Sequence, residues 1–268
     1  MKGAFMITIF KKEMQLNIKT FLIWSLVVGG LGMACIVLFS SMKEAMKGMQ
    51  EAVSKMGAIS DAFGMNDLSI ATIKGYFATE VGTIHGLGGG LFVAILAIGI
   101  ISKEEEGHTG EFLFSLPLSR KSVVIAKSLC VASMLVLFTL VCGVLYSLGF
   151  VILGEDIPTG GFLTYMFRQL LMNLEIAGVC LALSAISGKN RMGLGLGITL
   201  IFYLYDIIGR VVPSLKEYLF VGPYSYANAS VIFSDGETPV QAFITATIVI
   251  VACAMFSVFY YDKRDLAS

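Results

Sequence analysis

The sequence predicts an all-α integral membrane protein with six transmembrane helices and both termini on the cytoplasmic side. Three observations carry that prediction. Of 268 residues, 56% are hydrophobic and only 14% charged, and the mean hydropathy is +0.83. Soluble domains carry roughly 25% charged residues, so polar surface is too scarce here to cover a globule in water. Six apolar stretches each approach the ~20 residues of helix needed to cross a hydrocarbon core about 30 Å thick. Finally, lysines and arginines gather on one side of the resulting layout, which marks that side as cytoplasmic.

The six spans are expected at 20–41, 82–102, 122–153, 170–186, 192–212 and 240–260. The first follows a long polar stretch and is not followed by an A-x-A site, so it reads as a retained helix rather than a cleaved signal. The third is long enough to tilt. The fourth is interrupted by Arg168, Asn173 and Glu175, which makes its entry a candidate break or re-entrant turn. Lys2, Lys11, Lys12, Lys19, Lys103, Arg120, Lys121, Lys127, Lys189, Arg191, Lys263 and Arg264 fall on the cytoplasmic side. Lys43, Lys47, Lys55, Lys74 and Lys216 fall on the other, which is richer in acids. The chain therefore reads as one transmembrane domain, 1–268, with an interfacial helix at 1–19, an extracellular loop at 42–80 and a cytoplasmic loop at 103–121.

A formal net charge of zero gives no pull toward nucleic acid, and none is expected as a partner. Cys35, Cys130, Cys142, Cys180 and Cys253 all lie in apolar runs, with no CxxC and no Cys/His cluster. They read as packing residues, and no metal site is expected.

Two further helices stand out. Within 1–19, Lys11, Lys12 and Lys19 share a face with Thr8 and Gln15, beside a broad apolar face of Phe5, Met6, Ile9, Phe10 and Leu16. That pattern suits a helix lying in the inner interface with its lysines near anionic headgroups; the alternative is a plain extension of the first span. Beyond that span, Met42, Met46, Met49, Val53 and Met56 recur at spacings of four, three, four and three, an apolar seam on an otherwise polar helix. Methionine is flexible and polarisable, so such a seam accommodates varied apolar partners; packing on a neighbouring helix or second subunit is the plainer reading.

The most informative stretch joins the second and third spans. Glu104, Glu105 and Glu106 begin a short helix or extend the second span. Phe112, Leu113 and Leu116 give one apolar face, with Glu111 and Ser115 on a polar one. Pro117 ends the helix and turns Leu116 away from helical dihedrals. Ser119 is placed to cap the third span, with Arg120, Lys121 and Lys127 at the inner boundary. A short amphipathic helix held beneath the bilayer by two spans can dock in a groove on a soluble partner and transmit force to both.

This stretch resembles the signature of permease subunits of ATP-binding-cassette exporters, the six-helix ABC-2-type membrane protein family. The matching residues are Glu104 to Glu106, Thr109, Glu111, Leu113, Ser115, Leu116, Pro117, Ser119, Arg120 and Lys127; the sequence departs at His108 and Phe114. The layout is similar too, with an N-terminal amphipathic helix, six spans and no fused nucleotide-binding domain. The resemblance implies a type V exporter-like fold in a bacterial plasma membrane. It makes the loop a coupling helix, with Glu104, Glu105, Glu106, Thr109, Glu111, Phe112, Leu113, Leu116, Pro117 and Arg120 engaging an ATPase subunit. Two ATPase copies and a second permease chain would complete the transporter. The chain shows no GxxxxGK[ST] loop, so ATP and Mg are expected on the separate ATPase. Met42, Met46, Met49 and Met56 then become candidates for outer-leaflet contact with cargo.

Charges within the spans offer a second set of candidates. Asp206 and Arg210 are four residues apart and can pair on one helix face or line a translocation path. Glu175 lies about two turns from Arg168, too far for an easy pair, and is expected to meet Arg210 across a helix interface. A secondary carrier coupled to an ion gradient through Glu175 and Asp206 is the alternative function. Gly86, Gly88, Gly89, Gly90, Gly193, Gly195 and Gly197 offer small surfaces for close helix approach. His85 and His108 share no motif, and His108 reads as loop polarity.

Overall fold

A computed structural model describes residues 2–53, 68–110, 113 and 119–264. Glu111, Phe112, Leu116, Pro117 and Met56 lie outside the described residues. Six helices are long and apolar enough to cross a membrane. In chain order the elements are α1 (Lys2–Val53), α2 (Ile73–Ala97), α3 (Lys103–Glu106), α4 (Arg120–Leu153), α5 (Thr159–Ile186), α6 (Met192–Val211), α7 (Pro213–Lys216), α8 (Ala229–Phe233) and α9 (Val240–Lys263).

Helix α1 corrects two expected boundaries. It runs unbroken through Lys19 and Thr20, so residues 1–19 are not a separate helix but the continuation of the first span. It also continues past residue 41, aided by the Glu44–Lys47 pair one turn apart. At ~1.5 Å per residue its 52 residues extend about 78 Å, more than twice the hydrocarbon thickness, so both ends must project beyond it. Met42, Met46 and Met49 thus lie on α1.

Helix α2 begins at Ile73, nine positions before the expected start, because the Thr72 side chain accepts from Gly75 N and caps a turn inside the expected 42–80 loop. A π-helical turn, Phe77–Val81, follows. It sets Phe77 amid Tyr146, Phe150, Phe162, Tyr165 and Phe233, with ring centroids 5.3–5.9 Å away, an arrangement of largely edge-on rings. Ser119 caps α4 as expected, accepting from Ser122 N. Gly154 ends α4 at φ 78°, a left-handed geometry that glycine adopts without a Cβ penalty.

The fourth span is neither broken nor re-entrant. Helix α5 is continuous from Thr159 to Ile186, and its Arg168, Gln169 and Glu175 side chains find partners in chain folded back from later in the sequence. That chain is the stretch between α6 and α9, expected only as a connection. It holds α7, a 3-10 turn at Leu219–Val221 and α8, and it buries Tyr224, Tyr226, Ala227, Ile232 and Phe233.

Helix α1 lies along α4 and α9 along α5, while α2 packs against α1, α5 and α6. Several glycines of α2 face inward. A Cβ on Gly88 would come 2.7 Å from Val28 Cγ2, and one on Gly90 would overlap the Tyr224 hydroxyl and lie 2.8 Å from Thr199 Cγ2. Gly195 in turn admits Ile98 at 3.0 Å, whereas Gly193 and Gly197 meet nothing within 4 Å. The α2–α6 contact therefore depends on Gly90. Gly90→Val is expected to destabilise the protein by about 1–3 kcal/mol through overpacking, and Gly193→Val to leave it near wild type. Thermal unfolding of the two purified variants checks the contrast.

Candidate functional site: an ionic seam at one end of the bundle

Glu13 of α1 and Arg264 just past α9 come to one end of the bundle, where the segment leaving α2 is pinned on several sides. After Ala97 the chain turns, and the Ile101 and Ser102 N–H groups both donate to Ser184 Oγ of α5, at 3.0 and 3.3 Å. Gly99 leaves room for Asn190, which a Cβ there would approach to 2.6 Å. The three glutamates of α3 then point to different parts of the bundle.

Glu104 accepts from Lys127 Nζ of α4 at 2.6 Å and from the Thr109 hydroxyl at 2.9 Å. Glu105 accepts from Arg264, just past α9, at 2.7 Å. Glu106 accepts from Asn190 N, in the α5–α6 connection, at 3.0 Å. Arg264 also donates to Ala185 O at 2.8 Å, and Arg120 donates to Arg264 O. Lys121 and Asp262 add an outer pair at 3.3 Å.

Lys127 is the hub. It was expected at the inner boundary but is fully buried. Its ammonium reaches Glu104, Glu13 of α1 at 3.2 Å and the Ile100 carbonyl. Two of its N–H donors bond Glu104 and the Ile100 carbonyl, and Glu13 completes the shell as an ion pair. Glu13, itself 3% exposed, uses its second oxygen to receive Lys103. Two acids and two bases thus form a charge-balanced chain, Lys103–Glu13–Lys127–Glu104. Such a set is tolerated away from water only because each charge has partners.

The two pinned carboxyls titrate in opposite senses. Burial alone would raise Glu104, but Lys127, Thr109 and Lys103 outweigh it and hold the group below its ordinary 4.5. Burial also dominates at Glu105, and there Arg264 and Arg120 do not overcome it, so its pKa lies above 4.5. The Glu104 contribution to stability is therefore full above 4.5 and lost as pH falls through its depressed value. Glu105, with its raised value, favours the protonated fold: its contribution is present at low pH and lost as pH rises through that value. Isotope-edited infrared titration is expected to see Glu105 protonate first and Glu104 last on acidification, each step vanishing in the matching glutamine variant.

These contacts revise the expected roles in the loop. Glu104, Glu105, Thr109 and Arg120 bond within the chain itself, so they hold the segment in position. Leu113 is half-buried. Lys11, Lys12 and Lys19 are exposed on α1, with Glu13 on its packed face. Glu13 was missed because one acid among lysines reads as a surface charge.

The opposite end carries the remaining candidates. Asp206 and Arg210 pair on α6 as the spacing suggested. Glu175 does not meet Arg210; its carboxylate accepts from the Tyr226 hydroxyl at 2.7 Å. Arg168 donates to Tyr226 O and to Thr238 Oγ1. Tyr226 therefore satisfies both charged residues of α5, which removes the need for a direct pair. Met46 is also corrected: it is buried against Phe39, Ile70 and Tyr76, while Met42 and Met49 are exposed. His85 is buried with Nδ1 2.9 Å from the Tyr146 hydroxyl.

Six helices of membrane-spanning length and apolarity, with an ionic seam at one end, define a multi-pass membrane protein. A family model described as ABC-2 family transporter protein matches residues 7–266, and the chain belongs to that family. No curated protein matches the chain significantly.

Proposed function

We propose that this chain is the membrane-spanning permease subunit of an ATP-driven exporter. It moves hydrophobic or amphipathic cargo, such as a peptide toxin, a peptide antibiotic or a drug, out of the cell by alternating access. ATP hydrolysis occurs on two copies of a separate ATPase subunit, and a second permease chain completes the pathway. The end bearing the ionic seam faces the cytoplasm of a bacterial cell.

The observation that carries this reading is the mounting of the segment after α2. It is attached to two spans by the chain, to α4, the α5–α6 connection and the region just past α9 by its glutamates, and to α1 through Lys103, which bonds Glu13. A push delivered to α3 would reach those elements through these bonds, which is what a coupling loop requires. The lysine and arginine excess at the same end supports the orientation. The ion-coupled reading has less support, because Glu175 is held by Tyr226 and Asp206 by Arg210.

Co-expression with ABC-type ATPase subunits of the same genome, followed by purification and transport in inverted vesicles, tests the proposal. The expected result is co-purification and ATP-dependent uptake, with Glu111→Ala and Phe112→Ala losing the ATPase while still inserting. Transport that follows an ion gradient and needs no ATPase would overturn it.

A further inference from the structure

A cleft lies at the end of the bundle opposite the seam, lined among others by Thr83, Gln169, Tyr203, Asp206, Arg210 and Tyr224. Three polar atoms of these residues lack a hydrogen-bond partner among the described residues: Gln169 Oε1, Asp206 Oδ1 and the Tyr224 hydroxyl. Their residues are only 2%, 4% and 5% exposed. Leaving such groups unpaired is costly, so their persistence in one place asks for an occupant.

None of the three is free to swing away. Gln169 donates its Nε2 to Ala227 O at 3.0 Å, which fixes Oε1 as the unmatched end. Asp206 is held through its other oxygen by Arg210. The Tyr224 ring packs edge-on against Tyr203 at 5.4 Å, and its hydroxyl lies over Gly90. The lone pairs are thus oriented by contacts that leave them unused.

The donor inventory sets the ligand chemistry. A carboxylate oxygen and an amide oxygen only accept, and a phenol oxygen accepts while its O–H can turn to donate to a neighbouring acceptor, so three lone-pair sites call for a group rich in donors. A primary ammonium meets that description with three N–H bonds. Arg210 borders the same cleft with its side chain 19% exposed, and can offer its remaining guanidinium donors to an anion beside the ammonium. The Asp206–Arg210 pair is therefore complementary to a zwitterion of the opposite sense.

We propose that this cleft binds a head group carrying a primary ammonium next to a phosphate, as in phosphoethanolamine. The ammonium is received by Gln169, Asp206 and Tyr224 and the phosphate by Arg210. The same chemistry is available from a phospholipid of the bilayer or from a soluble compound.

Native mass spectrometry of the purified full-length chain tests this without any ATPase. Phosphatidylethanolamine is compared with phosphatidylcholine, which keeps the phosphate but has no N–H donor. Wild type is expected to retain about tenfold more of the former, a factor that one charge-assisted hydrogen bond supplies. Asp206→Asn and Tyr224→Phe are expected to bring that ratio toward one. Tyr224→Phe removes a hydroxyl that has no hydrogen bond among the described residues, so it keeps the test valid if the Asp206 variant fails to fold. Displacement by soluble phosphoethanolamine would assign the site to a free compound and failure to displace would assign it to the lipid; each supports the proposal. Equal retention of both lipids by wild type would overturn it, as would phosphatidylethanolamine retention unchanged in Tyr224→Phe.

Discussion

Lys127→Met is expected to lower the unfolding free energy by about 3–5 kcal/mol, the cost of leaving buried charges without their partner. Methionine fills a similar volume, so the loss is electrostatic rather than a cavity. Glu104 would keep only the Thr109 hydroxyl, and Glu13 only Lys103 and a weak contact from Asn17 at 3.4 Å. The Ile100 carbonyl would lose its ammonium donor as well. Adding Glu13→Gln and Glu104→Gln to Lys127→Met removes the stranded charges and is expected to recover part of the loss. Denaturant titration of the single and triple variants checks both statements; an additive triple variant would mean the four charges do not act as a unit.

The second large effect is expected from charge reversal at Glu105. Glu105→Arg places a cation against Arg264 and beside Arg120 in a site that is 7% exposed, and should cost about 3 kcal/mol or more. Glu105→Arg combined with Arg264→Glu restores the pair with its polarity reversed. Recovery should be partial, because a glutamate at 264 cannot donate to Ala185 O as arginine does. Glu105 and Arg264 are 159 residues apart in sequence, so rescue would demonstrate directly that α3 is tied to the end of α9.

The helices were legible because a bilayer demands long apolar runs, and α4, α6 and α9 begin or end within a few residues of the expected positions. Misreadings arose where a local pattern is answered by a distant one. Arg168 and Glu175 look like interruptions of α5 until Tyr226 is folded against them. Tyr226 itself sits in a stretch too short and mixed to read as a span, and its apolar neighbours Ile232 and Phe233 were the available signal. Glu13 and Lys103 are 90 residues apart, and nothing local to either says that they pair. The three glutamates were recognised as a group, but which way each faces depends on Lys127, Asn190 and Arg264, which only the fold assembles.

The claim that matters most is that the seam transmits rather than merely holds. It is tested by measuring cargo-stimulated ATP hydrolysis in the reconstituted complex with Glu104→Gln, at a temperature where the variant remains folded and the ATPase still co-purifies. The expected result is a bound ATPase whose basal rate persists but whose response to cargo is lost. Stimulation equal to wild type in that folded, assembled variant would contradict it.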